Sequence, residues 1–266
     1  MVDSPSLHNL KRRVSALESQ RLTTRLSGVG TGHGGMDQAL GGGLARGRLH
    51  ELFAAEIGDA SSVAGFAAML ARQLGGGIVW LREEQVERQG GALYAPGLAE
   101  IGIDPARLIL GVLPDPLAVL RAAADVARCP EAGVAVIELW RKPRMLDLTA
   151  SRRLVLSLES SGMTALMLRI AADPAPSAAY TRWLVRAAPA RPLEANAPGP
   201  PALEVELLRQ RGGTAGGTWQ LEWDREQAIF RNRNEGATAL SGAVVPLPVR
   251  RPAGSGDGAV RLRRSG

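Results

Sequence analysis

Short apolar runs that alternate with helix-like patterns constrain the fold of this chain more than any other feature. The runs lie at 49–53, 78–81, 108–110, 134–137 and 164–170, and three of them are followed by helical patterns at 63–74, 116–127 and 148–161. Strands of a parallel sheet are covered on both faces, so they read as nearly continuous apolar segments. Strands that alternate with helices also favour parallel connections. The sequence therefore predicts an α/β fold with a mainly parallel β-sheet flanked by helices.

The carboxyl-terminal part of the chain has a different pattern. Apolar residues alternate with glutamates over 203–207, a glycine-rich turn spans 211–217, and apolar residues alternate again over 219–223. Ile229 and Phe230 add a third apolar segment. Alternation with a period of two indicates strands with one buried face, so this region is predicted to be a β-hairpin or meander. A connector rich in proline and alanine, over 187–201, precedes it.

Three regions are predicted along the chain. Residues 1–26 form a basic amphipathic helix, because Leu7, Leu10, Val14 and Leu17 share one helical face. This helix either packs on its own domain or is an arm that binds a partner. Residues 27–235 form the core, which begins with glycine-rich turns around one short helix near Met36. Residues 236–266 lack periodicity and are arginine-rich, which predicts a basic, largely disordered tail.

Composition limits the environment and leaves the partner open. No apolar run approaches the roughly 20 residues of a membrane-spanning helix, the amino terminus lacks the apolar core of a signal peptide, and Cys129 is the single cysteine. These features predict a cytoplasmic protein. The net charge is +6, and Lys11 and Lys142 are the only lysines. The arginines favour phosphate recognition, or they reflect a GC-rich genome.

The junction after the first strand has the layout of a phosphate-binding loop but lacks its residues. The motif G-x-x-x-x-G-K-[ST] falls here on Ala54, Asp59, Ala60 and Ser61. Ala60 removes the lysine that neutralises phosphates, Asp59 adds a negative charge, and Ser61 keeps a hydroxyl group. ATP and magnesium are therefore not expected as cofactors, although residual ATP binding stays open. The degenerate loop comprises Ala54, Glu56, Gly58, Asp59, Ala60, Ser61 and Ser62.

Several segments around this loop resemble known proteins. Residues 31–44 resemble the segment before the phosphate loop of RecA, and residues 47–53 resemble its approach strand. Glu51-Leu52-Phe53 before the loop, together with the later Arg-Gly-Gly hairpin, most resembles the ImuA family of RecA-like proteins. Residues 149–154 and 222–224 add to this likeness. The resemblance extends from Ser27 to Phe230 and implies a RecA-like fold.

The resemblance also implies a function. ImuA-like proteins are understood to act as accessory proteins in SOS-induced, error-prone translesion DNA synthesis. The expected partners are an ImuB-like homologue of Y-family polymerases and an error-prone C-family DNA polymerase in the same complex, with RecA as a further candidate. Contact through the amino-terminal helix or the carboxyl-terminal region is expected. The alternatives are a DNA-stimulated ATPase of the RecA superfamily and a SulA-like inhibitor of cell division.

The resemblance assigns two acids to former catalytic positions. Glu83 follows the strand at 78–81 where RecA has its water-activating glutamate, and Glu138 follows the strand at 134–137 where the magnesium-side aspartate belongs. Both are interpreted as relics, so no catalytic residue is expected and the chain is predicted not to be an enzyme. Acids also commonly follow buried strands without such a role. No metal site is predicted, since the three histidines are scattered and one cysteine cannot complete a zinc site.

Basic residues after Glu138 are candidates for weak DNA contact. RecA-like proteins begin a DNA-facing loop there, and the charges could bind phosphates without reading sequence. Solvation of an ordinary charged loop explains them equally well. Trp140 lies between Glu138 and this loop, and exposure to a partner is one interpretation of its position. The candidate residues are Arg141, Lys142, Arg144, Arg152 and Arg153. Arg209 and Arg211 of the hairpin have the same two interpretations, contact with DNA or ordinary solvation.

Overall fold

A computed structural model describes residues 28–129, 131–192, 197, 199–213 and 216–233 of the chain. The predicted amino-terminal helix over 1–26 and the predicted tail over 236–266 lie outside the described residues. The three-region division of the chain therefore stays a prediction.

The described residues alternate between strands and helices. The helices are α1 (Gly34–Ala39), α2 (Ala60–Leu74), α3 (Glu84–Gly90), α4 (Ala95–Glu100), α5 (Pro116–Val126) and α6 (Leu148–Ser161). The strands are β1 (Gly28–Val29), β2 (Leu44–Ala45), β3 (Leu49–Ala54), β4 (Gly77–Glu83), β5 (Leu108–Leu113), β6 (Ala132–Trp140), β7 (Thr164–Ile170), β8 (Thr181–Ala188), β9 (Ala202–Gln210), β10 (Thr218–Asp224) and β11 (Ile229–Asn232). Short 3-10 turns occur at Ile57–Asp59 and Pro105–Arg107.

In the described part of the chain, nine strands form one sheet in the order β11-β10-β9-β8-β3-β7-β6-β4-β5. The six strands from β8 to β5 are parallel to their neighbours, and β9, β10 and β11 add as an antiparallel meander. The strand before the degenerate loop, β3, lies between β7 and β8. The predicted mainly parallel sheet and the carboxyl-terminal meander are confirmed.

Helices cover both faces of the sheet, so the central strands are buried. On one face, α2 places Phe66, Leu70 and Leu74 against the even-numbered residues of β3, β6 and β7. On the other face, α5 and α6 cover the odd-numbered residues of the same strands, with Val119 and Leu158 fully buried. This alternation follows from the period of two in a strand. Because of this alternation, two neighbouring residues at the end of a strand lie on opposite faces of the sheet.

Capping residues define where the helices on the second face begin and end. Asp115 accepts a hydrogen bond from the Ala118 N–H (2.8 Å) at the start of α5, and Asp147 accepts one from the Ala150 N–H (2.7 Å) at the start of α6. An acidic N-cap satisfies a free N–H group and complements the helix dipole. α6 ends at Gly162, whose φ of 81° is readily adopted only by glycine.

The structure differs from the sequence predictions at three places. β6 continues to Trp140, so Glu138 lies within a strand and does not follow its end. β8 was not anticipated, because Thr181 to Arg186 mixes polar and apolar residues without a clear period. Trp140 is 7 % exposed, which makes its predicted exposure to a partner wrong. β8 extends to Ala188, and the described residues of the predicted connector after it, 189–192, 197 and 199–201, lie outside helices and strands.

Candidate functional site

The degenerate phosphate loop lies between β3 and α2, as its sequence layout predicts. Ala54 is buried as the last residue of β3, whereas Glu56, Gly58 and Ser61 are exposed. Among the residues of this loop none has a positive φ. Anion-binding nests use successive N–H groups in alternating right- and left-handed backbone conformations. This loop therefore lacks the backbone geometry that wraps a phosphate group.

A 3-10 turn uses the N–H groups that a phosphate would need. The Asp59 N–H donates to the Glu56 carbonyl oxygen at 3.3 Å, and the Ala60 N–H donates to the Ile57 carbonyl oxygen. The turn leads directly into α2, so the chain passes from strand to helix without an open loop. The backbone N–H groups of Asp59 and Ala60 are therefore already used within the protein.

Asp59 has a structural partner that its position in the motif does not indicate. Its carboxylate accepts a hydrogen bond from the Ala187 N–H in β8, at 2.8 Å. Asp59 precedes α2 but makes no side-chain hydrogen bond to that helix. Asp59, at the position predicted for a phosphate-loop glycine, therefore links the loop to β8 through a hydrogen bond.

Glu138 is the centre of a buried polar network on the α2 face of the sheet. The Trp80 indole donates to its Oε2 atom at 3.0 Å, and the Trp140 indole donates to its Oε1 atom at 3.1 Å. Arg82 Nε lies 3.3 Å from Glu138 Oε2, and both side chains are buried. Three donors thus surround one carboxylate.

This network is the floor of a cleft of about 610 Å³ beside the amino-terminal half of α2. Small residues of α2, from Ala60 to Ala68, form one wall, and the α3–α4 connection with Tyr94 forms another. Gly90 packs so closely on the Trp140 ring that a Cβ atom there would lie 2.9 Å from it. The walls are mainly apolar. The cleft thus offers apolar contact beside the loop that joins β3 to α2.

Glu83 is separated from Glu138 by the pleat of the sheet. It ends β4, and its neighbour Arg82 faces Glu138, so Glu83 is directed to the α5 face. There it lines a polar pocket of about 260 Å³ with Arg141 and Lys142. Burial raises the pKa of the Glu83 carboxyl group, opposed by the Trp140 N–H and the Arg141 charge. Arg141 has a φ of 62°, an uncommon conformation for a residue other than glycine.

The structure divides the predicted DNA-contact residues into two groups. Arg141 and Lys142 lie with Glu83, whereas Arg152 lies with Arg209 and Arg211 in a groove of about 430 Å³ on the α6 face. We call the groove that Arg152, Arg209 and Arg211 line the arginine groove. Arg144 and Arg153 are exposed and line neither. The other residues of the arginine groove are Leu148, Val155, Leu156, Glu159, Ser177, Ala178 and Ala179.

A buried ionic cluster lies next to the arginine groove and was not predicted from the sequence. Glu51 of β3 is fully buried, with Arg182 Nε 3.1 Å from its Oε2 atom and Arg169 Nη1 3.6 Å from its Oε1 atom. Ser177 donates to Glu51 Oε2 at 2.7 Å. A glutamate inside an otherwise apolar strand is a signal for such a cluster. Its partners lie more than a hundred residues away, so the sequence alone does not identify them.

No group of three or more histidine, cysteine, aspartate or glutamate side chains within the described ranges is placed to hold a metal ion. Across the same ranges, no helix is long and apolar enough to cross a bilayer.

Comparisons with known proteins agree with the fold and the sequence motifs. No protein-family profile matches the chain. The chain is 34 % identical over 199 residues to Protein ImuA of Caulobacter vibrioides strain NA1000 / CB15N, covering 68 % of this chain and 77 % of that protein, and it matches Protein ImuA of strain ATCC 19089 / CIP 103742 / CB 15 equally. A crystal structure of the RadB recombinase superposes with a TM-score of 0.51 at 13 % identity, covering 74 % of this chain and 96 % of that one. This structural likeness shows a RecA-like fold.

Proposed function

The chain belongs to the ImuA family, and from this premise we propose that it is a non-catalytic, RecA-like accessory protein in SOS-induced, error-prone translesion DNA synthesis. One observation carries the non-catalytic part of the proposal. The N–H groups of Asp59 and Ala60 are bonded within the 3-10 turn, at the place where a working loop binds phosphate oxygens.

The carboxylates support the same proposal. Glu138 is paired with the Arg82 guanidinium group and accepts hydrogen bonds from two indoles, so its carboxylate already has partners within the protein. Glu83 lines a different pocket, with Arg141 and Lys142, and the charge of Glu138 adds to the increase in its pKa. A hydrolytic site needs the acid, the metal-side carboxylate and the phosphate loop to converge on one position. In this protein, Glu83 lines its own polar pocket, Glu138 is part of a buried network, and the loop after β3 forms a 3-10 turn.

One observation favours a second candidate function, a DNA-stimulated ATPase. Glu83 has a raised pKa and lies in a polar pocket beside Arg141, and perturbed acids in pockets are typical of functional sites. Membership of the ImuA family, by contrast, does not favour the SulA-like alternative. The ATPase candidate and the preferred proposal make opposite predictions for nucleotide binding.

We expect millimolar magnesium–ATP to leave the Tm of the protein unchanged and to be hydrolysed at no measurable rate. A ligand present at a hundred times its Kd would add about 2.7 kcal/mol, which corresponds to a shift on the order of 5–10 °C. Differential scanning fluorimetry and a coupled ATPase assay, each with and without single-stranded DNA, measure this.

The variant Ala60→Lys is the matched control for nucleotide binding. It restores the cation but leaves the 3-10 turn in place, so it is also expected to show no shift. Hydrolysis by the wild-type protein that single-stranded DNA stimulates and Glu83→Ala abolishes would contradict the non-catalytic proposal.

Binding of protein partners is the positive part of the proposal. The partners are an ImuB-like Y-family polymerase homologue and, in the same complex, an error-prone C-family DNA polymerase, with RecA as a further partner. The RecA-like fold supplies a rigid sheet with exposed surfaces on both helical layers, which supports a role in binding. Weak contact of Arg141 and Lys142 with DNA phosphates is a compatible secondary property.

We expect the purified protein to co-purify with the ImuB-like homologue encoded by the same genome. Truncation of residues 236–266 tests whether the basic tail is the main contact, because its arginines would make binding sensitive to salt. Isothermal titration calorimetry at two salt concentrations measures the effect. Absence of binding by the full-length chain would contradict the accessory role itself.

A further inference from the structure

The arginines of the arginine groove have no opposite charges to balance them. Within the described residues, the side chains of Arg152, Arg209 and Arg211 form no ion pair, and Glu159 of the groove is paired with Arg48. At the other end of the β8–β9 pair, Arg186 lies 3.0 Å from the Glu204 carboxylate directly across the strands. Among the described residues, the arginines of the groove have no ion pair like that of Arg186 with Glu204.

Like charges face each other across the same two strands at the groove. In the β8–β9 register, Arg182 lies directly opposite Arg209. Like charges in this arrangement destabilise a pair of strands, whereas opposite charges stabilise it. Arg182 is already paired with Glu51 and the strand register shifts next to it, so a bound anion would mainly offset the charge of Arg209.

The buried cluster beneath the groove adds to the positive charge. Glu51 is shared by Arg169 and Arg182, so one carboxylate serves two guanidinium groups. Burial lowers the pKa of Arg169, which the Glu51 charge opposes. Ser177 joins the two regions, since it lines the groove and bonds to Glu51 and Arg182. The groove therefore lies over a positive interior.

Exposed leucines flank the arginines on the same side of α6. Leu148, Arg152 and Leu156 are spaced by four residues and form one helical row. Leu156 is 66 % exposed and Leu148 is 37 % exposed. Among the residues that the structure describes, no phenylalanine, tyrosine or tryptophan lines the groove. Single-stranded nucleic acids are usually held by aromatic stacking as well as charge, whereas acidic amphipathic segments combine carboxylates with apolar side chains.

We propose that the arginine groove docks an acidic, amphipathic segment of a protein partner. Its carboxylates would meet Arg152, Arg209 and Arg211, and its apolar side chains would cover Leu148 and Leu156. This inference rests on the proposed function, which supplies a protein partner, and it assigns that partner a surface and a chemistry.

The test compares two triple charge reversals in the full chain. Arg152→Glu with Arg209→Glu and Arg211→Glu is expected to weaken the affinity for the purified ImuB-like homologue about tenfold or more. The matched control is Arg88→Glu with Arg107→Glu and Arg121→Glu, which changes the same charge at exposed arginines outside the groove and should bind as the wild type does. Leu156→Glu alone should also weaken binding.

A stability measurement separates binding from a structural role. Arg209→Glu would face Arg182 with an opposite charge, so its Tm is expected to equal or exceed that of the wild type while its affinity falls. A lower Tm in parallel with the lower affinity would overturn the docking role of Arg209.

The remaining outcomes are distinguishable from one another. Unchanged binding by the groove variant would overturn the groove while leaving the proposed accessory function intact. Absence of binding by the wild-type chain would contradict the proposed function, and the groove inference with it. Loss of affinity for a labelled oligothymidylate, with partner binding unchanged, would overturn the inference in favour of nucleic-acid phosphates.

Discussion

Replacing Glu51 by alanine is expected to lower the free energy of unfolding by about 3–5 kcal/mol. The substitution leaves the Arg169 and Arg182 guanidinium groups without their shared carboxylate. Arg182 keeps its hydrogen bonds to Ala175 and Ser177, but Arg169 keeps only its position over the Phe53 ring, 5.7 Å from the centroid. An unpaired buried charge is among the most costly defects in a protein interior.

Urea denaturation followed by circular dichroism measures this loss. Glu84→Ala is the control, since Glu84 forms an exposed ion pair with Arg88 one helical turn away. Such pairs contribute about 0.3–0.5 kcal/mol. Glu51→Gln keeps the shape of the side chain and should lose most of the same stability, because the charge is what the arginines require. Equal midpoints for Glu51→Ala and Glu84→Ala would show that the cluster does not stabilise the fold.

Replacing Glu138 by alanine is expected to cost a similar amount, about 3–5 kcal/mol. Its carboxylate is 3.3 Å from Arg82 Nε and accepts hydrogen bonds from the Trp80 and Trp140 indoles. Removing it leaves the two buried indole N–H groups without an acceptor and the Arg82 guanidinium group without its ion-pair partner. A carboxylate retained to bind a metal ion would behave differently, since catalytic acids are often destabilising to the free protein.

Two variants separate these interpretations of Glu138. Glu83→Ala should have a small effect on the free energy of unfolding, because burial already disfavours the charged form of Glu83. Arg82→Leu combined with Glu138→Leu removes both charges and should recover part of the stability lost in Glu138→Ala. If Glu138→Ala unfolds at the same urea concentration as the wild type, the network does not stabilise the fold. The interpretation of Glu138 as a carboxylate retained to bind a metal ion would then gain support.

Strand and helix positions were accessible from the sequence because they depend on local periodicity. The continuous apolar run at 134–137 and the helical pattern at 148–161 each identify an element from its own residues. β8 was missed since it gains its order from pairing with β3 and β9, which are distant in the chain. The extension of β6 to Trp140 has the same cause, because Leu139 and Trp140 pair with Arg169 and Ile170 of β7.

The sequence by itself determined the mainly parallel α/β fold and the strand-to-helix junction between β3 and α2, where Ala60 stands at the position predicted for a phosphate-loop lysine. Only the tertiary structure decided what the unusual residues contact. It joined Asp59 to the Ala187 N–H, placed Glu83 and Glu138 on opposite faces of the sheet, and brought Arg152 beside Arg209 and Arg211. The physical reason is that periodicity follows from burial of neighbouring residues in one element. Hydrogen-bond and charge partners depend instead on which distant strands become neighbours, and a single sequence carries no local signal for that.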